Sequence, residues 1–157
     1  MTTSHPSERP AILIVEDHED TACLLQFVLE REGCAVTCLQ DGHAARRVIA
    51  SSIPPQVVLL DIGLPDMTGL DLLRVIRTTP EWQWTPVILL TADTRSETMI
   101  AAVHLGATEY VQKPFAAERL LQSVRRFISE PSHRPNEVTN SGHTNPPTAT
   151  VGRQDHR

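Results

Sequence analysis

Short apolar runs alternate with longer stretches of helical periodicity through most of this chain. Ala11-Ile12-Leu13-Ile14-Val15 is a continuous apolar run that stops at Glu16-Asp17, the pattern of a strand buried on both faces of a parallel sheet. Asp20 or Thr21 can cap the helix that follows, in which Leu24, Leu25, Val28 and Leu29 recur at helical spacing. Gly33 closes it, as glycine does just past a last helical turn. Cys34 to Leu39 predicts a second, shorter strand, and Asp41-Gly42 leads into a helix from about His43 to Ser51.

The third apolar run, Val57-Val58-Leu59-Leu60, follows Pro54-Pro55 and ends abruptly in Asp61. Pro65 and Gly69 force a loop, after which Leu70, Leu73 and Ile76 mark a helix that stops before Pro80. Val87 to Leu90 is a fourth strand ending at Thr91-Ala92-Asp93, followed by a helix from about Arg95 to Leu105 that ends at Gly106. Thr108 to Val111 is a short fifth strand ending at Lys113-Pro114. The last helix, about Ala116 to Ile128, carries Leu120, Leu121, Val124, Phe127 and Ile128 on one face. This alternation predicts an α/β fold: a doubly wound parallel sheet with right-handed crossovers and helices on both faces.

The pattern stops at both ends. Residues 1–9 are polar, with no apolar core of a signal peptide. From Glu130 the chain is rich in Pro, Ser, Thr and Asn, with only Val138, Ala149 and Val151 apolar. Such a segment buries too little surface to offset its ordering entropy. The expected organisation is therefore a disordered segment at 1–9, one domain at 10–129, and a disordered tail at 130–157 without an output domain.

Charge and cysteines narrow the class. A formal net charge of −5 speaks against a general nucleic-acid binder, which needs a basic face, so direct DNA binding is not expected. No apolar run approaches the length of a membrane span. Cys23, Cys34 and Cys38 are odd in number and lack metal spacing. Cys34 and Cys38, four apart in a strand, would stand about 13 Å from each other, too far for a disulfide. Reduced, buried thiols in a cytoplasmic protein are the simple expectation.

Parallel strands bring their carboxyl ends together, and there the chemistry collects. Glu16 and Asp17 end the first strand, Asp61 the third and Thr91 the fourth; Lys113 follows the fifth. In open α/β sheets this is the ligand-binding edge. Carboxylates crowded there repel one another unless a cation joins them. Their oxygens suit Mg²⁺, which keeps several waters and accepts phosphate oxygens as further ligands. Thr91 and Lys113 can donate to the same anion. Lys113 is also the only lysine in the chain, and at a phosphate a compact ammonium is not interchangeable with a guanidinium.

These residues resemble the response regulator receiver domain of two-component signalling. The resemblance spans about Pro10 to Ser129 and rests on four motifs in order. They are Ile14-Val15-Glu16-Asp17, Leu60-Asp61-Ile62-Gly63-Leu64-Pro65-Asp66-Met67-Thr68-Gly69, Leu89-Leu90-Thr91-Ala92, and Tyr110-Val111-Gln112-Lys113-Pro114-Phe115. It implies a flavodoxin-like (βα)5 fold with strand order 2-1-3-4-5, and Asp61 as the nucleophile that becomes an aspartyl phosphate. Asp17 would ligate Mg²⁺ directly, Glu16 through a water, and the Gly63 carbonyl would add a ligand. Lys113 would pair with the phosphoryl group, aimed by a cis bond to Pro114. Thr91 and Tyr110 would form the switch, altering a face built from the fourth helix, fifth strand and fifth helix.

The partners so implied are a histidine kinase or histidine phosphotransfer protein, plus a downstream protein; a phosphorylation-linked homodimer stays open. The implied role is a single-domain response regulator, a phosphoacceptor rather than a dedicated enzyme. Three other readings are weighed against it. An aspartyl-phosphate hydrolase would want an acid two residues after the nucleophile, where Gly63 stands. A binding-only receiver fold usually lacks an acid, the Thr or the Lys, and none is missing. An FMN protein would place a phosphate against Glu16-Asp17, which repel it. Elsewhere the expectations are structural: His18 and Asp20 as loop and cap residues, Trp82 and Trp84 as loop packing, and Arg119, Arg125 and Arg126 as a solvated helix face.

Overall fold

The computed structural model describes residues 8–129; the expected disorder at 1–9 and 130–157 falls almost wholly outside them. Five strands alternate with five helices: β1 (Ala11–Val15), α1 (Glu19–Arg31), β2 (Ala35–Leu39), α2 (Gly42–Ser51), β3 (Val57–Asp61), α3 (Gly69–Thr78), β4 (Val87–Thr91), α4 (Ser96–His104), β5 (Glu109–Gln112) and α5 (Ala117–Ser129). The strands form one parallel sheet in the order β2-β1-β3-β4-β5. The flavodoxin-like order expected from the motifs is the one observed.

The period of two along each central strand sorts its side chains between two cores. Ile12, Ile14, Val57, Leu59, Ile88 and Leu90 pack on one side of the sheet with α1 and α5 residues such as Leu25, Leu29, Leu120 and Val124. Leu13, Val15, Val58, Leu60, Val87 and Leu89 pack on the other, with Ile49, Leu72, Leu73 and Ile76. Both faces of β3 and β4 are therefore fully covered, which fixes their ends rigidly.

Several local expectations shift. The α1 N-cap is His18, not Asp20 or Thr21; its ring nitrogen accepts the Thr21 N–H at 3.4 Å, and Asp20 lies inside the first turn. The cap moves because the chain already turns helical at Glu19, where acids suit the positive end of the helix dipole. Leu24 faces outward, 51% exposed, while Leu25 and Leu29 are buried. Of the three cysteines expected to be buried, Cys34, just before β2, is buried, Cys38 is half-buried, and Cys23 is exposed because it lies on the outward face of α1.

Trp82 is buried, its indole N–H donating to the Ser52 carbonyl at 3.0 Å, whereas Trp84 is half exposed. The α5 arginines are not merely solvated. Arg119 and Arg126 pair with Glu109, and Arg125 bridges Glu32 and Glu118. No described helix is long and apolar enough to cross a membrane.

Candidate functional site

The carboxyl ends of β1, β3 and β4 converge on one cleft. Strand register sets Val15 beside Leu60 and Asp61 beside Leu90. Glu16, Asp17 and Asp61 consequently bring a carboxylate oxygen each to within 4.8 Å of one another. Glu16 is fully buried, Asp61 is 6% exposed, and Asp17 faces solvent. Asp61 is thus less open than a free strand-end carboxylate, because covered core surrounds it on both faces of β3.

One ammonium joins two of these acids. Lys113 Nζ donates to Glu16 Oε2 at 2.7 Å and to Asp61 Oδ2 at 3.2 Å. Pairing of β5 with β4 places it there, with the Lys113 N–H bonded to the Thr91 carbonyl at 2.7 Å. The Lys113–Pro114 peptide bond is cis. Burial pushes the Glu16 carboxyl above its ordinary value; the bond to Lys113 opposes that rise only in part, and the Asp61 charge adds to it. Burial alone would lower the Lys113 pKa, but its bond to Glu16 and the Asp61 charge outweigh this and raise it. The ammonium is therefore firmly protonated.

The remaining site residues surround that group. The Gly63 N–H donates to Asp61 Oδ1 at 3.0 Å, fixing the carboxylate's orientation. Thr91 is buried at the end of β4, and its hydroxyl oxygen accepts the Asp93 N–H at 2.9 Å, which leaves the hydroxyl proton free to donate. Tyr110 is half-buried against the β3–β4 core, and its hydroxyl donates to the Asp93 carbonyl. Thr91 and Tyr110 thus hold the same residue, one through each side of its backbone.

The acid cluster fits Mg²⁺: a hard, all-oxygen donor set on a rigid edge, with an exposed acid on its open side. The comparisons with known proteins agree with this geometry. The family model of the response regulator receiver domain matches residues 12–125. The chain belongs to the receiver domain family.

Solved structures of similar proteins include the receiver domain of a putative Luxo repressor protein from Vibrio parahaemolyticus, 32% identical with a TM-score of 0.71, covering 77% of this chain and 91% of that one. A chemotaxis response regulator of Vibrio cholerae is 27% identical, TM-score 0.71, covering 76% and 98%. The receiver domain of a Pseudomonas aeruginosa sensor histidine kinase is 28% identical, TM-score 0.71, covering 78% and 99%. That last structure holds a magnesium ion in its active-site cleft.

Three features of this receiver domain escaped the sequence. Asp66 accepts the N–H groups of Gly42 and His43 at 2.9 and 2.8 Å, so it tethers the loop after β3 to the start of α2. Those two backbone bonds, the Gly42 one foremost, hold its carboxyl below the ordinary range. Gly69 lets α3 begin against the strand end: a Cβ there would lie 2.3 Å from the Asp61 carbonyl oxygen. Asp93 clamps Arg95, whose Nε donates to both carboxylate oxygens and whose Nη2 donates to Oδ2, and it accepts the Thr98 hydroxyl at 2.7 Å. The Pro-Asp-Met-Thr-Gly spacing carried a signal for the first two, but the Asp66 partners are distant in sequence and the close approach at Gly69 depends on how α3 docks against the end of β3.

Proposed function

We propose that Asp61 is the phosphoacceptor of a two-component pathway, taking its phosphoryl group from a histidine kinase or histidine phosphotransfer protein. The observation that carries this is the Asp61 carboxylate, set among Glu16 and Asp17 with the Lys113 ammonium at 3.2 Å. An Asp61 oxygen attacks phosphorus in line; the phosphorus–nitrogen bond to the donor imidazole breaks, and its electron pair returns to the ring nitrogen. The product is an aspartyl acyl phosphate. Little covalent chemistry falls to the protein, which supplies positioning and charge compensation.

Glu16, Asp17, Asp61 and the Gly63 carbonyl would hold Mg²⁺, which neutralises phosphoryl oxygens. Lys113 exchanges its carboxylate partners for the new phosphoryl oxygens, and the Thr91 hydroxyl donates to them. Drawing Thr91 inward releases the Asp93 N–H. The Asp93 carbonyl, which holds Tyr110, then shifts with the loop, and the change reaches α4, β5 and α5. Met99, Ile100 and Val103 stand exposed on α4, apolar groups suited to a protein partner reading that face. The domain is in this reading a self-assisting phosphoacceptor rather than a dedicated enzyme.

Incubation with Mg²⁺ and acetyl phosphate, read by intact mass, tests the proposal. A labile gain of one phosphoryl group is expected in the wild type, absent in Asp61→Asn and after chelation. If wild-type protein neither gains mass nor consumes donor, the proposal fails.

A further inference from the structure

Parallel strands with right-handed crossovers send every helix back to the edge where strands begin. The last described residue of α5, Ser129, therefore lies at the amino edge of the sheet, opposite the acid cluster. A groove of about 560 Å³ opens at that same edge. Pro54 and Pro55, before β3, form one wall; Pro80, Glu81 and Trp84, before β4, form the other. Trp84 is 50% exposed, and Ile53 beside the prolines is 89% exposed.

These walls are fixed rather than pliable. Arg77 donates to the carbonyls of Gln83 and Thr85, at 3.0 and 2.7 Å, and so pins the backbone on both sides of Trp84. Its other nitrogens hold the Gly106 carbonyl. The Trp82 indole bonds Ser52, in the α2–β3 connection, and ties the two walls together. A preformed slot between proline rings and an indole face is the surface that binds an extended, proline-rich strand.

We propose that this groove is a docking site for the chain's own proline-rich segment 131–147. That segment carries Pro131, Pro135, Pro146 and Pro147 and begins just beyond α5. At about 3.1 Å per residue it spans roughly 50 Å, whereas a domain of this size is about 35 Å across. Reach is not limiting from an end already at the correct edge. Charge sets a register rather than a general attraction, because the segment carries one arginine and one glutamate. The groove's ionisable residue, Glu81, pairs with Arg134 between the first two prolines, while Glu137 lies beyond the second. A docked tail covers Trp84 and leaves the acid cleft untouched.

Acrylamide quenching of tryptophan fluorescence in the full chain tests this. Trp82 is 1% exposed, so quenchable emission reports Trp84. Replacing all four tail prolines by serine alters no described residue, and it is expected to raise the quenching constant roughly twofold as the indole is uncovered. Glu81→Arg is expected to do the same, and adding Arg134→Glu to it to restore shielding. Equal quenching in wild type and proline variant overturns the proposal. Shielding that survives the proline substitutions and grows with protein concentration also overturns it, assigning the groove to a second copy. Absence of rescue by the charge swap overturns it too. None of these readouts uses a phosphoryl donor, so they stand or fall independently of the chemistry at Asp61.

Discussion

The two edges of this one sheet are built by opposite means. At the carboxyl edge, acids from separate strands crowd around a single ammonium, with Glu16 and Asp61 both buried. At the amino edge the half-buried Arg77 is bonded to carbonyl oxygens and not to a carboxylate among the described residues, and the acid that begins β5, Glu109, is matched by two arginines. Burial lowers the Arg77 pKa, but a guanidinium stays charged. Helix polarity accounts for the difference. Every helix of a parallel α/β sheet points its N–H groups toward the carboxyl edge and its free carbonyls toward the amino edge. Anions are favoured at the first and cations at the second. Chemistry collects at one end, and fastening at the other.

If that division is real, damage at the amino edge should cost stability and spare the chemistry. Trp82→Ala removes a fully buried indole and its bond to Ser52, so a loss of about 3–5 kcal/mol is expected. Chemical denaturation measures it. Below the lowered melting point, phosphoryl uptake from acetyl phosphate should match the wild type. A matching loss of uptake would break the comparison.

Gly69→Ala is the reverse experiment, at the carboxyl edge. The new methyl meets the backbone of Asp61 and Ile62, and α3 must move off the strand end. Overpacking of this kind costs about 1–3 kcal/mol. Here phosphoryl uptake at a fixed donor concentration is expected to fall along with the melting temperature, because the displaced backbone carries the nucleophile. Normal uptake would show that the site tolerates a shift of its supporting strand.

The smallest effect concerns Asp66, which joins the β3–α3 loop to α2. Its folded pKa lies below the ordinary 3.8. A depressed pKa contributes stability that is complete above the ordinary value and vanishes as pH falls through the folded one. Asp66→Ala should therefore melt lower than wild type at pH 7, with the gap closing as the pH is taken below about 4. A gap independent of pH would mean that the carboxylate's charge is not what holds the loop.

Much of this was legible before any coordinates. The central strands read correctly because Ile12 to Val15, Val57 to Leu60 and Val87 to Leu90 are continuously apolar, and short runs of that kind rich in Val and Ile and bounded by turn residues are the pattern of a strand covered on both faces. The shared edge of Glu16, Asp61 and Thr91 could be placed because each ends such a run, whereas Lys113 follows the mixed strand β5 and is placed by strand order. Less legible were features made by residues far apart in the chain. Arg77 looks like any helix-surface arginine until Gly106, Gln83 and Thr85 are seen around it. Two tryptophans two residues apart look equivalent, yet one is sealed inside and the other faces the groove. The α1 cap moved from Asp20 or Thr21 to His18 because local propensity permits several starts and packing selects one.

The sequence by itself determined the strand and helix order, the two-sided burial of the sheet, and the convergence of Glu16, Asp17, Asp61, Thr91 and Lys113 on one edge. Those follow from hydrophobic period and strand direction, which are local and additive along the chain. Only the tertiary structure decided that Lys113 bridges Glu16 and Asp61, that Asp66 anchors α2, that Asp93 links Thr91 to Tyr110, and that a fixed proline–tryptophan groove lies at the far edge. Each of these is a contact between segments distant in sequence, and its geometry exists only once the sheet has set their separation.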